Sequence, residues 1–144
     1  PAGTIDYGYV GDIDEVNADV FSRLVRDGVT PVVAPLSFSS SCGLLNTNAD
    51  TIATSVAAAL ASREDTVLTF CFEKKGVLSD PEDEDSVIPE ITRESYNLLK
   101  SNGIISAGMI PKLDNAFSAI RSGVSKVVIT DAASLGTPSG TIIK

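Results

Sequence analysis

Three short segments carry residue types that could do chemistry. The first is Leu45-Asn46-Thr47-Asn48-Ala49-Asp50, with two amides and a carboxylate at alternating positions where a helix is expected to begin. In an extended lead-in, residues two apart face the same way. Asn46 and Asn48 could then both reach one polar ligand, with Asp50 just beyond. The competing reading is helix N-capping, which Asn and Asp do well, although one cap needs only one such side chain. The second is Gly108-Met109-Ile110-Pro111-Lys112, a glycine before a helix whose first turn carries a lysine. Free backbone N–H groups and the helix dipole attract anions there. A lysine at that position is locally unfavourable, and a bound phosphate would give it a reason; the alternative is a long side chain reaching to solvent. The third is Glu73-Lys74-Lys75-Gly76-Val77-Leu78, a basic, glycine-containing turn directly after an apolar strand, of a kind that could hold phosphate or ribose. It is neither GxxxxGK[ST] nor GxGxxG, and many strand-to-loop exits look like it.

Composition narrows the chemistry. The 144 residues carry a net charge of -8, which disfavours nucleic acid, where affinity comes mainly from Lys and Arg neutralising phosphates. It equally disfavours an anionic membrane surface, so neither partner is expected. A phosphate site must be local, built from a few lysines and helix N-termini. There is no histidine, which removes His-based triads and His-ligated zinc, and no metal site of the chain's own is expected. The two cysteines, Cys42 and Cys71, lack CxxC spacing and read as reduced thiols used for packing. Pro1-Ala2-Gly3-Thr4 has neither the basic start nor the apolar stretch of a signal peptide. With no Met at its start, the chain is expected to begin inside a longer product and to be cytoplasmic.

Elements that could position these segments follow from periodicity. Asn17 is expected to cap a helix with Val20, Phe21, Leu24 and Val25 on its inner face and Gly28 as its stop. Val29 to Pro35 reads as a short buried strand. The Ser-rich stretch from Ser37 to Gly43 reads as a hairpin turn leading into Leu44-Leu45. A helix opened by the asparagine segment has Ile52, Val56, Ala59 and Leu60 as its apolar stripe. Thr66 to Phe72 is a second buried strand, with Gly76-Val77-Leu78 as a tight continuation. Ser79 to Ser86 is acidic; metal site, docking patch and solvated loop compete, and mutual repulsion favours the loop. Thr92 caps a helix with Tyr96 and Leu99 inward and Gly103 at its end. Pro111 opens another, with Leu113, Phe117 and Ile120 facing the core and Gly123 as its stop. Lys126 to Thr130 is a third strand, and Gly140 to Ile143 a short edge strand. Apolar strands alternating with amphipathic helices predict an α/β fold with a mostly parallel sheet covered on both faces. Ligands bind such sheets beyond the carboxyl ends of the strands, which points to Phe70–Gly76 and the turn after Thr130.

Together these segments resemble the acetylglutamate kinases of the amino-acid kinase family. The resemblance rests on Asp6-Tyr7-Gly8-Tyr9-Val10-Gly11-Asp12, on Gly28 to Pro35, on Leu45 to Asp50, on Gly103 to Lys112 and on Gly140-Thr141-Ile142. It runs along nearly the whole chain. It implies a three-layer αβα sandwich, of which residues 1–144 would be a single, C-terminal ATP-binding part without the N-terminal substrate-binding part. The implied reaction is transfer of the γ-phosphoryl of ATP, with Mg2+, to the γ-carboxylate of an N-acylglutamate, acetyl or succinyl, in arginine biosynthesis. The complete protein would be a homo-oligomer. By resemblance Asn46 holds the substrate with Asn48 nearby, Lys112 stabilises the transferring phosphoryl group, and Asp50 orients Lys112. Glu73, Lys74, Lys75, Gly76, Val77, Leu78, Ile104, Ile105, Ser106 and Met109 line the nucleotide. The chain departs from the family's usual Thr-Asp-Val-Pro-Gly-Val-Leu after the second strand: its stretch from Thr69 to Leu78 is longer and lacks that Asp and Pro. The altered turn keeps a non-catalytic regulatory domain on the same fold in view, and a related kinase for another small acid is a further alternative. The isolated chain is expected to bind nucleotide without appreciable turnover.

Overall fold

The computed structural model describes residues 7–105 and 108–144. Helix α1 (Ala18–Arg26) leads to a hairpin of β1 (Leu36–Ser39) and β2 (Gly43–Asn46), then to α2 (Ala49–Ala61) and β3 (Val67–Phe72). Beyond a long loop come β4 (Glu90–Ile91), α3 (Arg93–Ser101), α4 (Ile110–Arg121), β5 (Lys126–Asp131) and β6 (Thr141–Ile143).

The main sheet has the order β3-β5-β6-β4. β3 and β5 are parallel, β4 and β6 are parallel, and the junction of β5 with β6 is antiparallel. The sheet is therefore mixed, with parallel pairs predominating. Leu68, Phe70, Val127, Ile129, Ile143 and Ile91 share one face by register and pack with Ala57 of α2 and Leu113, Ala116 and Phe117 of α4. This is the core. It is aliphatic apart from Phe70, Phe117 and Tyr96, as an aromatic content of 6% requires.

Local chemistry accounts for the helix boundaries. Asn17, Asn48 and Thr92 each accept a hydrogen bond from a backbone N–H of the first turn. At Thr92 the bond is reciprocal, because the Thr92 N–H donates to Ser95 Oγ at 2.9 Å. Gly103 and Gly123 follow α3 and α4 with φ of 69° and 98°, a left-handed conformation that glycine adopts without a Cβ penalty. Thr92→Ala should lower unfolding stability by about 1 kcal/mol. A shift in the urea midpoint at constant slope would show it; an unchanged midpoint would mean that the Thr92–Ser95 pair contributes nothing.

Several expectations are corrected. Val29–Pro35 forms no strand: Pro31 and Pro35 lack the N–H a ladder needs, and Val32 is 95% exposed. On α1 the buried residues are Ala18 and Ser22, while Val20 and Val25 are exposed. α2 turns Ala53, Ala57 and Ala61 to the core. Of the expected stripe Ile52 is buried, and Ile52, Val56 and Leu60 line, with Ala53 and Ala57, a shallow recess closed by Pro31, Val33 and Pro35. β3 lies at the sheet edge and alternates in burial. Its second face leaves Val67 and Cys71 exposed. β6 is interior, because the unforeseen β4 pairs along its outer side. Both cysteines are exposed thiols rather than packing residues.

Candidate functional site

Sheet geometry brings the chemical segments to one end. α2 precedes β3 and α4 precedes β5 through the short connections 62–66 and 122–125, and each helix packs on the strand that follows it. A helix that returns antiparallel to its strand starts near that strand's carboxyl end. The first turns of α2 and α4, with Asp50 and Lys112, therefore lie at the carboxyl edge of the parallel pair.

Lys112 stands in the first turn of α4, where Pro111 occupies one of the first two helical positions, no acidic residue is present and no side chain caps the helix. Its ammonium lies 3.5 Å from the ring centroid of Phe72, the last residue of β3. This cation–π contact fixes the lysine beside the turn that begins at Glu73. No hydrogen bond or ion pair joins Lys112 to Asp50 among the described residues. Asp50 is half-buried in the first turn of α2.

The turn leans over a cavity of about 210 Å³. Lys74, Gly76, Val77 and Leu78 line one side and Ile104, Ile105 and Met109 the other, with Pro81 joining from the acidic loop. The structure thus gathers most of the residues expected around a nucleotide. Glu73 and Lys75 lie next to the lining but outside it, and Ser106 falls outside the described residues. The cavity floor is apolar and a lysine stands at its rim, the pairing that suits an aromatic base with a phosphate tail.

The acidic stretch is a closed, solvated loop. The Ser79 N–H donates to the Ser86 carbonyl, the Asp80 N–H to Ser86 Oγ, and Leu78 bridges to Val87. Lys74 pairs with Glu84 at 3.0 Å and Lys75 with Asp85 at 3.8 Å. The Lys74 hydrogen bond holds the Glu84 carboxyl below its ordinary pKa. Across the sheet end, Asp131 is paired in register with Phe72. Hydrogen bonds from the Ser134 hydroxyl and N–H keep its carboxyl below the usual range, with Lys75 adding to the effect. Among the described residues no three His, Cys, Asp or Glu side chains gather as a metal cage.

The asparagines divide. Asn48 Oδ1 accepts from the Thr51 N–H at 3.1 Å and is the α2 cap. Asn46 ends β2 on the face that also shows Leu36, Phe38 and Leu44. Its backbone bonds to Tyr9 and Gly11, and its side chain has no hydrogen-bond partner among the described residues.

A wider concavity, about 650 Å³, lies elsewhere, between residues 11–17, the hairpin and α1 and α2. Asp12, Asp14 and Glu15 line it and no Lys or Arg does, so it would repel a phosphate. Phe72 and Asp131 fall in the Phe70–Gly76 stretch and the turn after Thr130 to which the strand ends pointed; Pro81 was not expected there, and it arrives because Leu78 pairs with Val87 and the acidic loop folds back over the turn.

Comparison with known proteins identifies the family. The model of the amino acid kinase family matches residues 1–131. An acetylglutamate kinase of Phocaeicola vulgatus is 55% identical over 100% of this chain, which covers 56% of that protein. The chain therefore spans about half the length of the curated relatives it matches. The solved smu.665 protein of Streptococcus mutans UA159 superposes with a TM-score of 0.76 at 37% identity, over 96% of this chain and 52% of that one. The N-acetylglutamate synthase of Neisseria gonorrhoeae, at 22% identity, shares the fold with a TM-score of 0.79, over 99% of this chain and 35% of that one. On the family match over residues 1–131, the alternating α/β order and the superposition of nearly its whole length, the chain belongs to the amino acid kinase family.

Proposed function

We propose that this chain is the nucleotide-binding part of a kinase that phosphorylates the γ-carboxylate of N-acetyl-L-glutamate or another N-acylglutamate. One observation carries the reading: at the carboxyl end of the parallel strands Lys112 lies against Phe72, directly before the turn whose Lys74, Gly76, Val77 and Leu78 line an apolar cavity. The relatives named acetylglutamate kinase support the choice of acceptor.

In the reaction a substrate carboxylate oxygen attacks the γ-phosphorus of ATP. The bond to the β,γ-bridging oxygen breaks, and ADP and an acyl phosphate result. Such a transfer needs alignment and positive charge more than covalent help. Val77, Leu78, Ile104, Ile105 and Met109 hold the base, with Lys74 and Lys75 toward the phosphates. Lys112 and the free N–H groups of α4 face the transferring group, and Asn46 orients the acceptor. Asp50, at the same edge, sets the field around Lys112. Magnesium would ride mainly on the nucleotide's phosphates and keep several of its waters. The step belongs to cytoplasmic arginine biosynthesis, in a homo-oligomeric complete protein. None of the described helices is long and apolar enough to cross a membrane.

Leu78→Trp fills the cavity mouth and tests the reading. In the full-length protein, calorimetry should show ADP affinity reduced at least about tenfold, with the circular dichroism spectrum retained. Undiminished binding by a folded variant would place the nucleotide elsewhere.

A further inference from the structure

Thr141 has no role in the chemistry above, yet it is wholly buried and its hydroxyl is used twice. Thr141 Oγ1 accepts a hydrogen bond from the Val77 N–H at 2.8 Å and donates one to the Ile88 carbonyl at 2.7 Å. The ring closes because the Ile88 N–H donates to the Val77 carbonyl at 2.8 Å. Both backbone polar groups of a cavity-lining residue are thus held, one of them by a side chain on β6. The preceding residue sits hard against the same group. A Cβ on Gly76 would come within 2.8 Å of Thr141 Oγ1 and of Val87 Cγ1. Gly140, at φ +112°, admits no Cβ either, which would meet the Ile129 carbonyl oxygen at 2.6 Å. β6 can therefore lie close to both the β5 ladder and the turn.

We infer that Thr141 is a positioning residue for the nucleotide turn: its hydroxyl sets the height of Gly76-Val77-Leu78 over the cavity. This rests on the nucleotide reading proposed above. Valine has the shape of threonine but no hydroxyl, so Thr141→Val leaves the Val77 N–H and the Ile88 carbonyl without their partner in a buried place. The turn must then move to reach water. Serine keeps the hydroxyl and loses only a methyl group.

The test uses the full-length protein with ATP, ADP and N-acetylglutamate. Thr141→Val should raise the KM for ATP and the Kd for ADP by roughly tenfold, with the KM for N-acetylglutamate unchanged. Thr141→Ser should restore nucleotide affinity to near the parent value. Leu68→Ala, a core truncation at the opposite end of β3, should lower stability without moving the KM for ATP. If Thr141→Val fails to fold, Gly76→Ala presses the turn away from the same hydroxyl and should show the same split. Equal effects of Thr141→Val and Leu68→Ala on nucleotide affinity would overturn the positioning role, as would failure of Thr141→Ser to restore it. Parent protein that binds no ADP would overturn the nucleotide reading itself, and the inference with it.

Discussion

Lys112→Ala in the full-length protein is expected to lower kcat for acyl-glutamate phosphorylation by about 10²- to 10³-fold, the cost of removing one preorganised charge from a developing anion. The lysine occupies the first turn of α4, where the helix dipole already favours negative charge and makes a cation unwelcome. No acid in that turn and no ion pair among the described residues compensates it. Its cation–π contact with the face of Phe72 at 3.5 Å is worth about 0.5–1 kcal/mol at such a site, so the variant should stay folded. A group held by a weak contact, beside free helix N–H groups, is placed for an anion that arrives with the substrate. The KM for ATP should rise less than kcat falls, because Lys74, Lys75 and the apolar cavity still bind the ground state. Lys112→Arg should recover only part of the rate, since a broad planar fork does not replace a compact ammonium. Single-turnover measurements would separate chemistry from product release. A kcat within twofold of the parent would remove Lys112 from the catalytic step and favour a binding role for this fold.

The pattern of residues reveals the elements whose cause is local. Asn48 and Thr92 announce helix starts, Gly103 and Gly123 helix ends, and the apolar runs before Phe72 and Asp131 the two parallel strands. Elements with a distant cause stay hidden. Val29 to Pro35 is as apolar as any strand, but a strand exists only where something pairs with it, and two prolines remove donors from that segment. β4 is two residues long and exists because Ile91 meets Ile143 across the sheet. α2 is apolar on more than one side, so its alanine face and its Ile52–Val56–Leu60 face compete; only packing decides which one meets the core. The site divides the same way. The family resemblance pointed to the turn, Ile104, Ile105 and Met109, which the structure gathers around one cavity. Pro81 reaches it because the acidic loop closes on itself through Ser86, and Thr141 reaches the turn through a bond spanning 64 residues. Neither connection leaves a trace in local spacing.

Asn46→Ala is expected to raise the KM for the acylated substrate by about 10- to 100-fold while leaving stability unchanged, and Asn48→Ala is expected to show the opposite balance. Asn48 Oδ1 receives the Thr51 N–H, so its loss should lower stability by about 1 kcal/mol through the cap. Asn46 makes no such bond among the described residues: its backbone is fixed between Tyr9 and Gly11, and its amide lies on an exposed sheet face. The neighbours on that face are Leu36, Phe38 and Leu44, all exposed, with Val10 bridged alongside. An amide on an apolar surface does little for folding, but it suits an N-acylglutamate, whose carboxylates and acyl amide need polar partners while its acyl group and methylenes rest on apolar side chains. Losing a hydrogen bond to a charged group removes roughly 1.5–3 kcal/mol, which gives the stated range in KM. Steady-state kinetics on the full-length variants, with denaturant melts alongside, would resolve the pair. Matching losses of stability in both variants, with no change in substrate KM, would make the paired asparagines structural and leave the acceptor site to other residues.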